Sequence, residues 1–209
     1  MLFVAIAGNI GSWKSSLTKL LATKFAWKPY FESVENNPYL PDFYADMRRW
    51  SFHLQIYFLS KRFMTHKEIA GSKFSVVQDR SIYEDAEIFA RNLHDIGKMD
   101  DRDYENYISL YSAMTEYLRS PNLMIYLRAG IPTLQKQIRL RGREYEKNIT
   151  TGYLEQLNLL YEDWFRRYSI GPVMVVETDE MDFVHNQQAQ NTLLKQIKEQ
   201  ADRQLDLGL

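Results

Sequence analysis

An α/β fold built on a parallel sheet is predicted by three features of this sequence. Four short runs, Leu2–Ala7, Phe74–Val77, Leu123–Leu127 and Val173–Val176, are apolar with little alternation, as strands covered on both faces must be. Longer stretches with apolar residues at helical spacing lie between them, so strand and helix alternate along the chain. The first run passes through a glycine-rich turn straight into a helix.

Each element follows in order. After Leu2–Ala7 and its turn, a helix spans Ser15–Phe25, with Leu17, Leu20 and Leu21 on one face. Tyr30–Val34 is the expected second strand. Asn37-Pro38 and Leu40-Pro41 punctuate the chain. From Asp42 to about Ala70 there is neither Pro nor Gly, which predicts one long helix, aromatic on one side through Phe43, Trp50, Phe52, Tyr57 and Phe58. Gly71-Ser72 ends it. Phe74–Val77 is the third strand and closes on Gln78-Asp79-Arg80; helices over Ile82–Asn92 and Asp103–Leu118 come next. Leu123–Leu127 is the fourth strand, and Pro132–Arg141 a helix with Pro in its first turn. A helix over Tyr153–Tyr168, a strand at Val173–Val176 and an amphipathic helix over Asn191–Leu205 complete the series. No repeat or linker interrupts it, so one domain is expected over residues 1–209.

Composition narrows the function. Apolar residues make up 45% of 209, enough for a full core, and 26 basic against 27 acidic residues leave a net charge of −1. No bulk positive field draws the chain onto nucleic acid or an anionic membrane. The absence of Cys excludes disulfides, thiolate-ligated zinc and thiol catalysis. The four His, at 53, 66, 94 and 185, show no metal-ligand pairing. No apolar run approaches the ~20 residues that span a bilayer. The expectation is a cytoplasmic protein acting on small molecules. Its aromatic share is 14%; much of that suits a core, and some could line a pocket for a flat ligand.

The turn after the first strand reads Gly8-Asn9-Ile10-Gly11-Ser12-Trp13-Lys14-Ser15, with Ser16 following. It matches the phosphate-loop pattern G-x-x-x-x-G-K-[ST] in the required strand-to-helix context, except that Trp13 stands where Gly belongs. In such a loop backbone N–H groups and the helix N-terminus hold phosphate oxygens, Lys14 bridges the β- and γ-phosphates and the Ser15 hydroxyl reaches magnesium. Gly serves there because the backbone takes angles closed to other residues, so an indole must point outward or crowd the nucleotide.

Further motifs follow in order: Phe31-Glu32-Ser33-Val34, Asn37-Pro38-Tyr39, Trp50-Ser51-Phe52-His53-Leu54-Gln55, Asp79-Arg80-Ser81 and Arg141-Gly142-Arg143-Glu144-Tyr145-Glu146. With the loop, this set resembles the deoxynucleoside kinases over nearly the whole chain. Ser33 stands where that family usually has Pro. The resemblance implies a phosphate-loop nucleoside/nucleotide kinase fold with a five-stranded parallel sheet, commonly paired into a homodimer through helices. It implies transfer of the γ-phosphate of ATP, with Mg2+, to the 5'-hydroxyl of a deoxynucleoside in nucleotide salvage.

Residue roles follow from that reading. Glu32, after the second strand, is the candidate base for the 5'-hydroxyl, at the carboxyl edge of the sheet where ligands bind. Arg80 neutralises phosphate and holds Glu32; Asp79 reaches magnesium beside Ser15 and is the second candidate base. Arg139, Arg141 and Arg143 form a lid over about 139–150 that closes on the phosphates, although a solvated charged face is the ordinary reading of such a run. By resemblance Glu146 and Tyr44 reach the sugar 3'-hydroxyl, Gln55 contacts the base, and Arg62 with Asp85 forms a charged pair at the base's far edge. Phe89 stacks on the base, and the Glu177–Phe183 loop, through Asp182 and Phe183, covers the donor adenine. The base preference expected is purine, deoxyadenosine first, then deoxyguanosine or deoxycytidine. Two alternatives stay open: a nucleotide-binding subunit whose turnover Trp13 impairs, and a nucleoside-monophosphate kinase.

Overall fold

The computed structural model describes residues 1–32 and 37–206. Five strands form one parallel sheet in the order β2-β3-β1-β4-β5. They are β1 (Phe3–Gly8), β2 (Lys28–Tyr30), β3 (Val76–Asp79), β4 (Leu123–Arg128) and β5 (Val173–Glu177). The central strand β1 is buried along its whole length, which is why its sequence is apolar without alternation. Period-two geometry then sends its side chains to two cores. Phe3, Ala5 and Ala7 pack on one side with Leu59, Tyr107, Leu157 and Tyr161. Leu2, Val4 and Ile6 pack on the other with Leu17, Leu21, Leu193 and Ile197.

The helices are α1 (Lys14–Phe25), α2 (Leu40–Ala45), α3 (Met47–Ala70), α4 (Ile82–Glu84), α5 (Arg91–Asp95), α6 (Asp101–Thr115), α7 (Ile131–Arg141), α8 (Thr151–Arg167) and α9 (Gln187–Asp206). A π-helical turn, Asp85–Ala90, joins α4 to α5, and a 3-10 turn, Glu144–Asn148, follows α7.

Three expectations are corrected. The second strand lies at Lys28–Tyr30 rather than Tyr30–Val34, because pairing with β3 ends at Tyr30↔Gln78. Phe31 and Glu32 therefore leave the ladder, and residues 33–34 lie outside the described residues. The third strand is shifted the other way: Lys28 and Phe3 pair with Val76, so the ladder starts there rather than at Phe74, which is exposed. The helix expected from Asp42 to Ala70 is two helices. Asp46 takes φ −145°, ψ 86° and its carboxylate accepts the N–H of Arg49 at 3.1 Å, capping α3. No Pro or Gly marks that break, since an N-capping Asp is also an ordinary surface residue.

Across the break α2 and α3 still pack on each other, Leu40 and Phe43 against Leu54. Replacing Asp46 by Ala should lower stability by about 1 kcal/mol in chemical denaturation, the usual worth of such a cap. No change would mean that packing alone sets the break.

Candidate active site

The turn between β1 and α1 is held by contacts that only its residue types permit. Gly8 has φ +151°, and a Cβ there would sit 2.8 Å from the Leu127 carbonyl oxygen. Gly11, at φ +88°, lies equally close to the Leu134 carbonyl, at 2.7 Å. Asn9 is buried and anchors the turn to α8, its Nδ2 donating to the Leu154 carbonyl and to Asn158 Oδ1 at 2.9 and 2.7 Å. Lys14 Nζ donates to the Asn9 carbonyl at 2.8 Å. Burial, with help from Arg80, pushes the Lys14 ammonium down to about 7. Trp13 caps α1 at φ 65°, ψ 19°, the left-handed region that a glycine would take freely. Its indole neither points away nor fills the loop. It packs edge-to-face on Phe183 and His185, with centroids 5.5 and 6.4 Å apart.

A cavity of about 900 Å³ opens from this loop along the carboxyl edge of the sheet. Ile10 to Ser16 line one end, and Tyr44, Gln55, Asp85 and Phe89 line the other. Glu32, Asp79 and Arg80 stand between.

Arg80 organises this middle ground. It sits at φ 66°, a strained backbone for a non-glycine residue. Its Nε meets Glu32 Oε1 at 2.9 Å, Nη1 donates to the Tyr161 hydroxyl at 2.9 Å, and its guanidinium lies 4.4 Å over the Phe89 ring. Arg62 Nη2 reaches the same Glu32 oxygen at 2.6 Å, while its Nε meets Asp85 at 2.5 Å. Burial disfavours charge on Glu32, but Arg80 and Arg62 outweigh it and hold the carboxyl down at about 2. Asp85 goes the other way, pushed up to about 7 by burial against the pull of Arg62. Burial also raises Asp79, one of whose oxygens accepts the Ser15 hydroxyl at 2.5 Å; the other is buried with no partner. A hydroxyl and an open carboxylate oxygen beside a phosphate loop are the hard oxygen donors that suit Mg2+.

Asp85 and Phe89, four residues apart on the π-helical turn, share a face, and both line the cavity.

The residues expected to form a lid divide. Arg141 Nη2 and Arg143 Nη1 meet buried Glu146 at 2.7 and 3.3 Å, and all three line the cavity. Arg139 does not join them. It is exposed on α7, where residues two apart point to opposite sides, so three guanidiniums do not converge. Tyr145 stacks on Tyr44, bringing Tyr44 to the same end of the cavity as Glu146. Of the last loop, Phe183 is buried behind Trp13, and Asp182 binds His185 Nδ1 at 3.0 Å. Neither lines the cavity; Val184 and His185 do. Arg62 likewise stands behind the lining, bridging Asp85 and Glu32, while Asp85 and Gln55 face the cavity.

The deoxynucleoside kinase family model matches residues 4–202. The deoxyadenosine/deoxycytidine kinase of Bacillus subtilis is 40% identical over 196 residues, covering 93% of this chain and 90% of the relative. The chain belongs to the deoxynucleoside kinase family. A deoxyguanosine kinase of Lactobacillus acidophilus is 36% identical, covering 94% of this chain and 90% of its own. The structure of deoxyadenosine kinase from M. mycoides with products dCMP and a flexible dCDP bound superposes with a TM-score of 0.84 at 29% identity, covering 95% and 100% of the two chains.

Sequence reasoning missed two buried residues of this deoxynucleoside kinase. Glu84 accepts the N–H groups of Gly8 and Ser81 at 3.2 and 2.7 Å, and the Tyr161 hydroxyl lies 2.8 Å from it. The signal in the sequence was the capping box Ser81…Glu84. Nothing local marks Tyr161, which sits in an ordinary helical pattern.

Trp13→Ala keeps the left-handed backbone and deletes the indole, whereas Trp13→Gly deletes the indole and also relaxes about 1 kcal/mol of backbone strain. Chemical denaturation should rank the glycine variant above the alanine variant. Equal stability would mean that Trp13 sits on an unstrained backbone.

Proposed function

We propose that this kinase transfers the γ-phosphate of ATP to the 5'-hydroxyl of a deoxynucleoside, as part of nucleotide salvage. The observation that carries the reading is the Glu32 carboxylate, gripped by Arg62 and Arg80 at 2.6 and 2.9 Å in the cavity that also holds Lys14. A carboxylate held at about 2 stays ionised and can accept the hydrogen bond of a hydroxyl. It is a weak base, which suits a loose transition state in which the proton leaves late. Glu32 orients the 5'-oxygen and takes its proton as that oxygen bonds to phosphorus and the bridging oxygen leaves with ADP. Arg80 and Lys14 meet the charge on the transferred group. Ser15 and Asp79 would hold Mg2+ arriving with the phosphates, where it neutralises their oxygens. Arg141 and Arg143 belong to a lid over about 139–150 that closes over the phosphates.

Acceptor choice rests with the far end of the cavity. Gln55 has its Oε1 buried without a partner, and Asp85 lines the same cavity. An amide and an acid there suit a base with an exocyclic amine, with deoxyadenosine first and deoxyguanosine or deoxycytidine next. The relatives named above, one a deoxyadenosine/deoxycytidine kinase and one a deoxyguanosine kinase, support that range. Because Arg62 holds Glu32 as well as Asp85, exchanging the Arg62–Asp85 pair should lower kcat along with base preference.

Among the described residues no helix is long and apolar enough to cross a membrane, and a cytoplasmic location is part of this reading. So are a single domain over 1–209 and a homodimer. Exposed Met64 on α3 and Leu110 on α6, two helices that pack on each other, support pairing through helices.

Glu32→Gln should cut kcat about 100-fold or more in a panel of labelled ATP, magnesium and four deoxynucleosides, while nucleoside binding persists. Near-normal kcat would pass the role to Asp79. The same panel on Trp13→Gly separates the kinase from an impaired nucleotide-binding subunit: turnover by the Gly form alone would favour the subunit. With Lys14 pushed down to about 7, kcat/KM for ATP should fall as pH rises above about 7, because the ammonium loses its proton. A flat profile through pH 9 would leave Lys14 charged in the free enzyme.

A further inference from the structure

The donor loop and Arg80 are joined by one buried hydroxyl. Tyr161, on α8, is fully buried. Its oxygen accepts from Arg80 Nη1 at 2.9 Å, and its proton is shared between the Gly8 carbonyl and Glu84 Oε1, each 2.8 Å away. That same Glu84 oxygen accepts the Gly8 N–H at 3.2 Å and lies 3.5 Å from Arg80. Glu84 thus grips the first residue of the phosphate loop, and Tyr161 ties that grip to the guanidinium that holds Glu32. Neither residue lines the cavity.

One end of this joint needs support. Arg80 sits at φ 66°, a backbone that surrounding contacts must hold in a non-glycine residue, while Gly8, at φ +151°, takes an angle open to glycine. Phe89 packs on the guanidinium face and Glu32 takes Nε. That leaves Nη1 to be directed by Tyr161 and Glu84. Burial keeps the Tyr161 proton in place far above neutral pH, so the hydroxyl always has one hydrogen to give and one lone pair for Arg80.

We propose that Tyr161, backed by Glu84, is a positioning residue that fixes the distance between the phosphate loop and Arg80. It registers the donor phosphate against the acceptor carboxylate without touching either ligand. The proposal rests on Arg80 acting as read above. A misplacement of about 1 Å between reacting groups is enough to cost about 100-fold in rate.

Tyr161→Phe removes the hydroxyl and keeps the ring, which stacks on Tyr126 at 5.7 Å between centroids. Expected is a fall in kcat of about tenfold to 100-fold in the protein that remains folded, with KM for ATP and for the deoxynucleoside each within about threefold and a melting temperature lowered by a few degrees, because buried partners of the hydroxyl are left unpaired. Tyr126→Phe, which strips the neighbouring ring of its hydroxyl, should leave kcat as it was. Arg80→Lys combined with Tyr161→Phe should be no worse than Arg80→Lys alone, because the tyrosine acts through Arg80. Glu84→Gln, which keeps shape but loses charge, should show the same split between kcat and KM.

A Tyr161→Phe enzyme with kcat within about twofold of normal overturns the proposal, as does a fall in kcat that only tracks a fall in folded protein. Full additivity with Arg80→Lys also overturns it. If Arg80→Lys itself keeps normal kcat, the reading of Arg80 fails, which is a different result from failure of Tyr161 alone.

Discussion

Two arginines sharing one glutamate oxygen constrain the rest of this structure. Glu32 leaves the sheet as soon as β2 ends, and its Oε1 is taken by Arg62 from α3 and Arg80 from the end of β3. Neither cation is free to move. Arg62 is pinned at its other side by Asp85 and donates to the Arg80 carbonyl, and Arg80 is pinned by Phe89, Tyr161 and Glu84. The left-handed Arg80 and the π-helical turn that carries Asp85 and Phe89 both lie within this group. A buried charge cluster is expensive unless every member is paired, so the elements that carry it are locked together.

The charges in this cluster do not balance. Four carboxyls, Glu32, Asp79, Glu84 and Asp85, face three cations, Lys14, Arg62 and Arg80. Burial raises Asp79 and Asp85 and lowers Lys14. The cations nearest the open end, Arg141 and Arg143, are already engaged by Glu146. An anionic donor therefore enters a site whose free positive charge is small, and the proposed roles for Mg2+ and for the lid answer that shortage.

Trp13 shows a local rule broken with a compensating contact. The left-handed backbone at this position favours glycine. The indole offsets that strain by packing on Phe183 and His185, which binds the phosphate loop to the segment after β5. Two separate loops thereby meet at one end of the cavity, where Trp13 and His185 both line the wall.

The sheet, the phosphate loop and most of the acid and base inventory are legible in the amino-acid sequence, because they depend on local pattern. Apolar runs with little alternation report burial on both faces, glycines report backbone angles, and Lys14-Ser15 reports a helix start. Glu32, Asp79 and Arg80 were expected at the carboxyl edge from their strand ends, and Gln55, Asp85 and Glu146 from the resemblance to the deoxynucleoside kinases; all six line the cavity. Which of these groups meet is a matter for the folded chain alone. Arg139, Asp182 and Phe183 carry the right chemistry but turn away from the cavity, since helix rotation and packing behind Trp13 set their direction. That Arg62 also grips Glu32 had no local signal, because the two lie 30 residues apart and only the fold brings them to 2.6 Å. Glu84 and Tyr161 come from separate elements, 77 residues apart, and share one hydrogen. No local pattern encodes such a contact; it arises when buried polar groups must find partners wherever the folded backbone leaves them.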